Sequence, residues 1–270
     1  MPELPEVETV RRTLKTLIIG KEIEKVEIYY DKIITGDANE FARKLKGQIF
    51  CDIDRIGKYL IFILDQDAII SHLRMEGKYN FYQHDMPQTK HEHLAFYFTD
   101  GSKLAYFDIR KFGRLQLASN RNYRYELPLK KLGPEPKEAD SKKIYERMHK
   151  SSLPIKSLLL DQSIMSGIGN IYANEICFRA GLHPETKGLD LSQKRVAEVI
   201  KIASEILAES IELGGTTIHS FEANGNTGKF QNKLQVHGQE ICPNCGGKIK
   251  KIKVGGRGTY YCPNCQLKNK

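Results

Sequence analysis

The chain opens Met1-Pro2-Glu3-Leu4-Pro5-Glu6, a start that gathers an unusual set of reactive groups. Methionine is normally trimmed before a small second residue, and trimming would expose the secondary amine of Pro2. An α-amine titrates at about pH 8, against about 10.4 for lysine, so much more of it is a free nucleophile at neutral pH. Pro5 suits the first turn of a helix, where its missing N–H costs nothing. The positive end of that helix dipole lowers the pKa of a neighbouring amine further. Glu3 and Glu6 lie beside it, able to shuttle protons. An amine with adjacent carboxylates is equipped to attack an electrophilic carbon and form an iminium. The plainer reading stays open on these residues alone: Pro2 and the acids start and cap a helix. A retained Met1 would turn the amine into an amide and abolish the chemistry.

The second set is Cys242-Pro-Asn-Cys245 and Cys262-Pro-Asn-Cys265, with sixteen residues between the pairs. Two thiolate pairs on tight turns at this spacing read as a zinc ribbon holding one ion. Pro243 and Pro263 preset the turns, and Gly246-Gly247 frees the backbone after the first. The alternative is disulfide pairing in a secreted chain, but MPELPEVETV is not a signal peptide. Four thiolates leave no open coordination position, so the zinc is structural. Cys51 and Cys177 stand alone and are expected to be buried, reduced thiols.

The elements that must position these groups change in texture along 270 residues. Val7, Val10, Leu14, Leu17 and Ile18 give a helix over 5–19 one apolar face, and Gly20 stops it. From 22 to 119 short β-type runs follow, at 25–30, 48–53, 59–64, 68–73, 94–98, 103–107 and 114–118. Turn signals such as Asp100-Gly101 separate them, which predicts an antiparallel sandwich or barrel. Pro128, Gly133, Pro134 and Pro136 mark a hinge. Helices are then expected from a Ser141 cap to His149, over 155–160, over 171–180, and from a Ser192 cap along Val196, Val199, Ile200, Ala203, Ile206, Leu207 and Ile211 to Gly214-Gly215. Residues 216–232 have the composition of a mobile loop. The domains are therefore 1–130, a 131–140 linker, 141–232 and a metal module at 233–270.

Composition narrows the partner. With 40% hydrophobic residues and 28% charged, the chain is globular, not disordered. Its apolar runs fall far short of the roughly 20 residues of a membrane span, so the expected address is the cytosol. The net charge is +9. Residues 233–270 hold eight Lys/Arg against Glu240 alone, and so carry most of that excess. A concentrated basic module suggests a polyanion, most often nucleic acid. A merely solvated basic tail is the alternative.

The same N-terminal string, MPELPEVETVRR, strongly resembles the start of the bacterial formamidopyrimidine-DNA glycosylases. The resemblance continues through RIGKYL (55–60), HLRMEGK (72–78), DIRKFG (108–113), LGPEP (132–136), IKSLLLDQ and GIGNIYANE (155–175), GGTT and GKFQ (214–231), and GRGTYYCPNCQ (256–266). It implies an α+β fold: an N-terminal antiparallel β-sandwich with a leading helix, then a helical helix–two-turn–helix domain ending in a zinc-ribbon β-hairpin. The implied activity is that of a bifunctional DNA glycosylase and AP lyase. Such an enzyme flips oxidised purines (8-oxoguanine, formamidopyrimidines) out of duplex DNA and nicks the strand by β- and δ-elimination. Base flipping is required because C1′ is shielded inside the stack.

The resemblance also implies roles. Pro2 is the nucleophile, Glu3 the proton donor for sugar-ring opening and Glu6 a supporting carboxylate. Lys58, on a Gly57-Lys58 turn, donates a proton in β-elimination, and Arg257 grips phosphates and assists δ-elimination. Met75, Arg110 and Phe112 fill the hole in the stack. His72, His91 and Asn170 are phosphate ligands, and Lys156 lies near the DNA backbone. The glycines of 167–170 let backbone amides approach a phosphate. Thr216 and Thr217 open a 216–230 flap over the extruded base. The partner is damaged double-stranded DNA, with no membrane, no nucleotide cofactor and a monomer as the default. The nearest alternative is an endonuclease VIII-like enzyme for oxidised pyrimidines, a branch that typically has Gly where Leu4 stands. A different class is a non-catalytic zinc-dependent DNA-binding protein.

Overall fold

The computed structural model describes residues 1–216 and 228–268. They fall into two compact units. The first holds Met1–Pro2 and Glu6–Lys130, the second Glu3–Pro5, Lys131–Thr216 and 228–268.

In the first unit α1 (Leu4–Ile18), from Glu6 on, places Val7, Val10, Leu14 and Ile18 in the core. Gly20, at φ +82°, ends its turn in a conformation that favours glycine. Two sheets follow. One has the order β1 (Ile23–Ile28), β7 (Glu92–Phe98), β8 (Lys103–Phe107), β6 (Lys78–Tyr82). The other runs β2 (Ile34–Thr35), β9 (Arg114–Ser119), β5 (Asp67–His72), β4 (Tyr59–Leu64), β3 (Phe50–Ile56). Alternate residues of both sheets, among them Leu60, Phe62, Ile69, Leu94, Phe96, Leu104 and Leu115, form one core. Phe50 stands edge-on to Phe62, Phe96 and Phe98 at 5.8 Å each, which joins the sheets across it.

The expected strands are all present, with three additions. The β2–β9 pair is parallel. β6 has no counterpart among the predicted runs. A helix, α2 (Ala38–Leu45), interrupts the β region, capped by Asp37 through Glu40 N and burying Phe41 and Leu45. Cys51 is exposed, not buried: the strand alternation turns it outward between the core residues Phe50 and Ile53.

The second unit packs α3 (Ser141–Met148), α4 (Ile155–Leu160), α5 (Asn170–Arg179) and α6 (Gln193–Glu212) around Met148, Leu159, Met165, Tyr172, Ile176, Val199 and Ile206. Ser192 caps α6 as expected, accepting from Arg195 N. The cap of α3 is Asp140, which accepts from Lys142 N and Lys143 N, so Ser141 is the first helical residue and not the cap. The carboxylate at the positive helix end outcompetes the hydroxyl one residue on. The hairpin β10 (Lys250–Val254) and β11 (Arg257–Tyr261) closes the chain. No helix among the described residues is long and apolar enough to cross a membrane.

Candidate active site and metal centre

Glu3 is buried and points at the start of α5. Gly169, the N-cap residue, supplies no side chain to satisfy the first amides of that helix. Glu3 supplies them instead, accepting from Gly169 N (2.6 Å), Ile171 N (2.9 Å) and Tyr172 N (3.4 Å). A carboxylate on the positive end of a helix is both dipole-favoured and hydrogen-bonded. Within 167–170, Glu3 takes the Gly169 amide and Gln162 the Gly167 amide. The glycines are needed for close approach all the same. A Cβ on Gly169 would lie 2.3 Å from Glu3 Cδ, and one on Gly167 (φ +98°) 2.4 Å from Leu4 Cδ1. Gln162 staples the turn, accepting from Gly167 N at 3.0 Å and donating to Ile168 O at 2.9 Å.

In the first unit Pro2, Glu6 and Lys58 are all buried. With Met1 in place, the Pro2 nitrogen is an amide. Lys58 follows Gly57 (φ +57°) in the turn between β3 and β4, as the sequence predicts. His72 ends β5. Its Nδ1 accepts from Arg74 N at 2.9 Å, so the neutral ring carries its proton on Nε2. Burial, reinforced by Arg74 and Lys58, pulls its pKa down to about 3. Tyr59 stands edge-on to it at 4.5 Å. Both line a cavity of about 240 Å³ with Thr35, Arg74, Arg114 and Gln116.

Arg110 and Phe112 are exposed, the guanidinium 4.7 Å from the ring centroid, and Met75 is half-buried. One residue missing from the sequence reading organises this loop. Buried Asp108 accepts from Arg110 N (3.0 Å) and Gly113 N (2.7 Å). Its backbone N–H donates to His91 O (3.1 Å), and its carbonyl accepts from His93 Nε2 (2.7 Å). His91 and the 109–113 loop thus share one anchor. The loops carrying Met75 and Phe112 meet at buried Tyr106, because a Cβ on Gly77 or on Gly113 would fall within 2.3 Å of its hydroxyl. Among the described residues, the three non-glycine residues at positive φ, Arg74 (55°), His91 (69°) and Lys111 (58°), all lie in these loops. Such strain clusters where a fold is built for function rather than stability. An Asp two residues before a turn amide is the signal by which Asp108 was legible.

The four cysteine sulfurs lie within 4.8 Å of one another, with Cys242–Cys265 at 3.7 Å and Cys245–Cys262 at 3.5 Å. Thiolates about 2.3 Å from a tetrahedral zinc stand about 3.8 Å apart, whereas a disulfide requires about 2.05 Å. The cage therefore fits one structural zinc. Cys242 and Cys262 also pack with Phe178, Val236 and Ile249 in a small core of their own. Arg257 is exposed at the start of β11.

Lys156 is placed differently from expectation. It is fully buried and donates to Gly258 O (2.9 Å) and Thr259 Oγ1 (2.7 Å), which leaves it no surface to offer a DNA backbone. Asn170 donates to the same Gly258 O at 3.2 Å. Thr216 is buried, and Thr217 lies outside the described residues, as does most of the 216–230 segment.

Comparison with known proteins covers nearly all of the chain. Residues 1–115 match the formamidopyrimidine-DNA glycosylase N-terminal domain, 132–222 the formamidopyrimidine-DNA glycosylase H2TH domain, and 240–267 the zinc finger found in FPG and IleRS. The formamidopyrimidine-DNA glycosylase of Lactobacillus delbrueckii subsp. bulgaricus is 47% identical, over 98% of this chain and 99% of that protein. That of Bacillus subtilis is 48% identical, over 99% and 100%. A crystal structure of Lactococcus lactis FPG with Fapy-dG-containing DNA superposes with a TM-score of 0.92 at 43% identity, over 98% of this chain and 100% of that one.

Proposed function

The chain belongs to the formamidopyrimidine-DNA glycosylase family, and from that premise we propose that it excises oxidised purines from duplex DNA and then cuts the strand. One observation carries the reading. Glu3, covalently next to the candidate nucleophile, is fixed by three backbone N–H groups, so its carboxylate is held in one geometry. Fixing reactive groups in place before the substrate arrives can remove about 7–11 kcal/mol of barrier.

Pro2, freed of Met1, attacks C1′ of a flipped nucleotide. The C1′–N bond to the base breaks and the base leaves with a proton; the attacking amine gives up its own proton to the Glu3 carboxylate, which passes it to the ring oxygen as the sugar ring opens. The nitrogen is then an iminium, which draws electrons from the C2′–H bond. Loss of that proton expels the 3′-phosphate, and a second elimination expels the 5′-phosphate. The product is a one-nucleotide gap with phosphates at both ends. Glu6 supports the amine, Lys58 serves the first elimination and Arg257 the second.

Met75, Arg110 and Phe112 fill the vacated stack. Phe112 wedges, Met75 adapts its shape, and the Arg110 fork reads the orphaned base. His72 donates Nε2–H to a phosphate as a neutral group, and His91 and Asn170 contribute further backbone contacts. The four thiolates would hold zinc as a structural ion, which supplies folding energy and no reaction step. A monomer acting in the cytoplasm completes the reading. Incubation with a duplex containing 8-oxoguanine tests it. Release of the free base with both-end phosphates supports the account, and an intact duplex under conditions of full binding refutes it.

A further inference from the structure

We propose that Lys156 is a positioning residue for Arg257: its side chain clamps the β10–β11 turn from within and so fixes where the guanidinium stands. The proposal rests on the reading of Arg257 as a phosphate-gripping residue.

The clamp is built from several contacts on one short segment. Lys156 lies in the first turn of α4 and reaches Gly258 O and Thr259 Oγ1. Thr259 Oγ1 in turn donates to Arg257 O at 3.0 Å, and Asn170 Nδ2 adds a second donor to Gly258 O. The carbonyls of Arg257 and of the next residue are therefore both held from inside the unit. The tip abuts the same helix, since a Cβ on Gly255 would lie 2.7 Å from Ser157 Oγ. Arg257 itself stays exposed, an outward-facing side chain on a pinned backbone.

The choice of residue also argues for a clamp. Among the described residues no carboxylate lies within ion-pair distance of Lys156. A buried ammonium without such a partner is costly, and an apolar residue of similar length would fill the space more cheaply. What lysine adds is a pair of charge-assisted donors aimed at the hairpin. Burial, reinforced by Arg257 and opposed by Cys177 and Glu3, lowers its pKa to about 8, so at neutral pH the ammonium form prevails.

Lys156→Met keeps the aliphatic stem and removes the donors. In the zinc-loaded full chain, amide exchange of the 250–261 hairpin should quicken by about tenfold, the worth of one such bond, with one zinc per chain retained. Thr259→Val, which removes an acceptor on the hairpin side, should loosen the same amides. Binding to a duplex with an uncleavable abasic analogue should weaken about tenfold in Lys156→Met, with no further loss when Arg257→Ala is already present. Unchanged hairpin exchange in both variants, or additive losses in the double variant, would overturn the proposal. If Arg257→Ala alone left binding intact, the phosphate-gripping reading would fail, and the exchange measurement would still decide the clamp.

Discussion

Replacing Gly169 by Ala adds one methyl group at the point where Glu3 meets α5. The backbone tolerates it, since Gly169 sits at φ −124°, ψ −160°, open to any residue. The obstacle is Glu3. The new Cβ would lie 2.3 Å from Glu3 Cδ, 2.6 Å from Cγ and 2.6 Å from Oε1, where ordinary contact begins at 3.4 Å. Glu3 must retreat by about 1.1 Å, the difference between contact and clash. A shift of that size stretches the 2.6 Å and 2.9 Å bonds beyond hydrogen-bond range. Misplacement of a reacting group by about 1 Å costs on the order of a hundredfold in rate. Each charge-assisted bond lost from a buried carboxylate costs roughly 1.5–3 kcal/mol, so the melting temperature should fall as well. Single-turnover excision on an 8-oxoguanine duplex, with a melting curve, measures both. Wild-type rate and stability in Gly169→Ala would refute the claim that the glycine exists to let Glu3 in.

Three further outcomes are expected. Zinc removal by a chelator, or Cys262→Ser, should unfold the 240–267 module and abolish strand cutting, because the metal supplies the folding energy of such a module; normal cutting by zinc-free protein would contradict this. Phe112→Ala should leave the unfolding free energy within about 0.5 kcal/mol of wild type, since the ring is 48% exposed, yet weaken binding to lesion DNA about tenfold. Equal binding would remove Phe112 from the wedge. His72 should show no imidazole titration between about pH 5 and 8 by NMR. Its folded pKa of about 3 lies below the ordinary 6.5, so the stability its neutral form contributes is present above the ordinary value and is lost as pH falls through that window. A transition near neutrality would show that the ring is charged when it meets DNA.

The sequence made the regular parts of this molecule legible. β4 and β8 fall on the predicted runs 59–64 and 103–107, because continuous apolar and aromatic residues between turn signals leave little choice. The cysteine cage follows from spacing alone. α2 escaped because its eight residues hold only two large apolar side chains, Phe41 and Leu45, although Asp37 was a visible cap. β6 escaped because Lys78-Tyr-Asn-Phe-Tyr82 lacks the aliphatic residues of its neighbours. The site shows the same division. Residue types announced Pro2 and Glu3, and the family resemblance Arg110 and Arg257, but what holds them is tertiary. The amides that seat Glu3 come from residues 169–172, and the contacts under Arg257 come from Lys156 and Asn170. A lysine whose charge turns inward reads in sequence like any surface lysine, so neither the sequence nor the resemblance separates Lys156 from a lysine that faces DNA.

The most direct measurement is borohydride trapping on an 8-oxoguanine duplex, followed by peptide mass spectrometry of the cross-link. The account predicts one reduced sugar adduct, on the peptide that begins at Pro2, and none from chain that keeps Met1. An adduct on Lys58 or any other lysine, or equal trapping by the Met1-bearing chain, would contradict it.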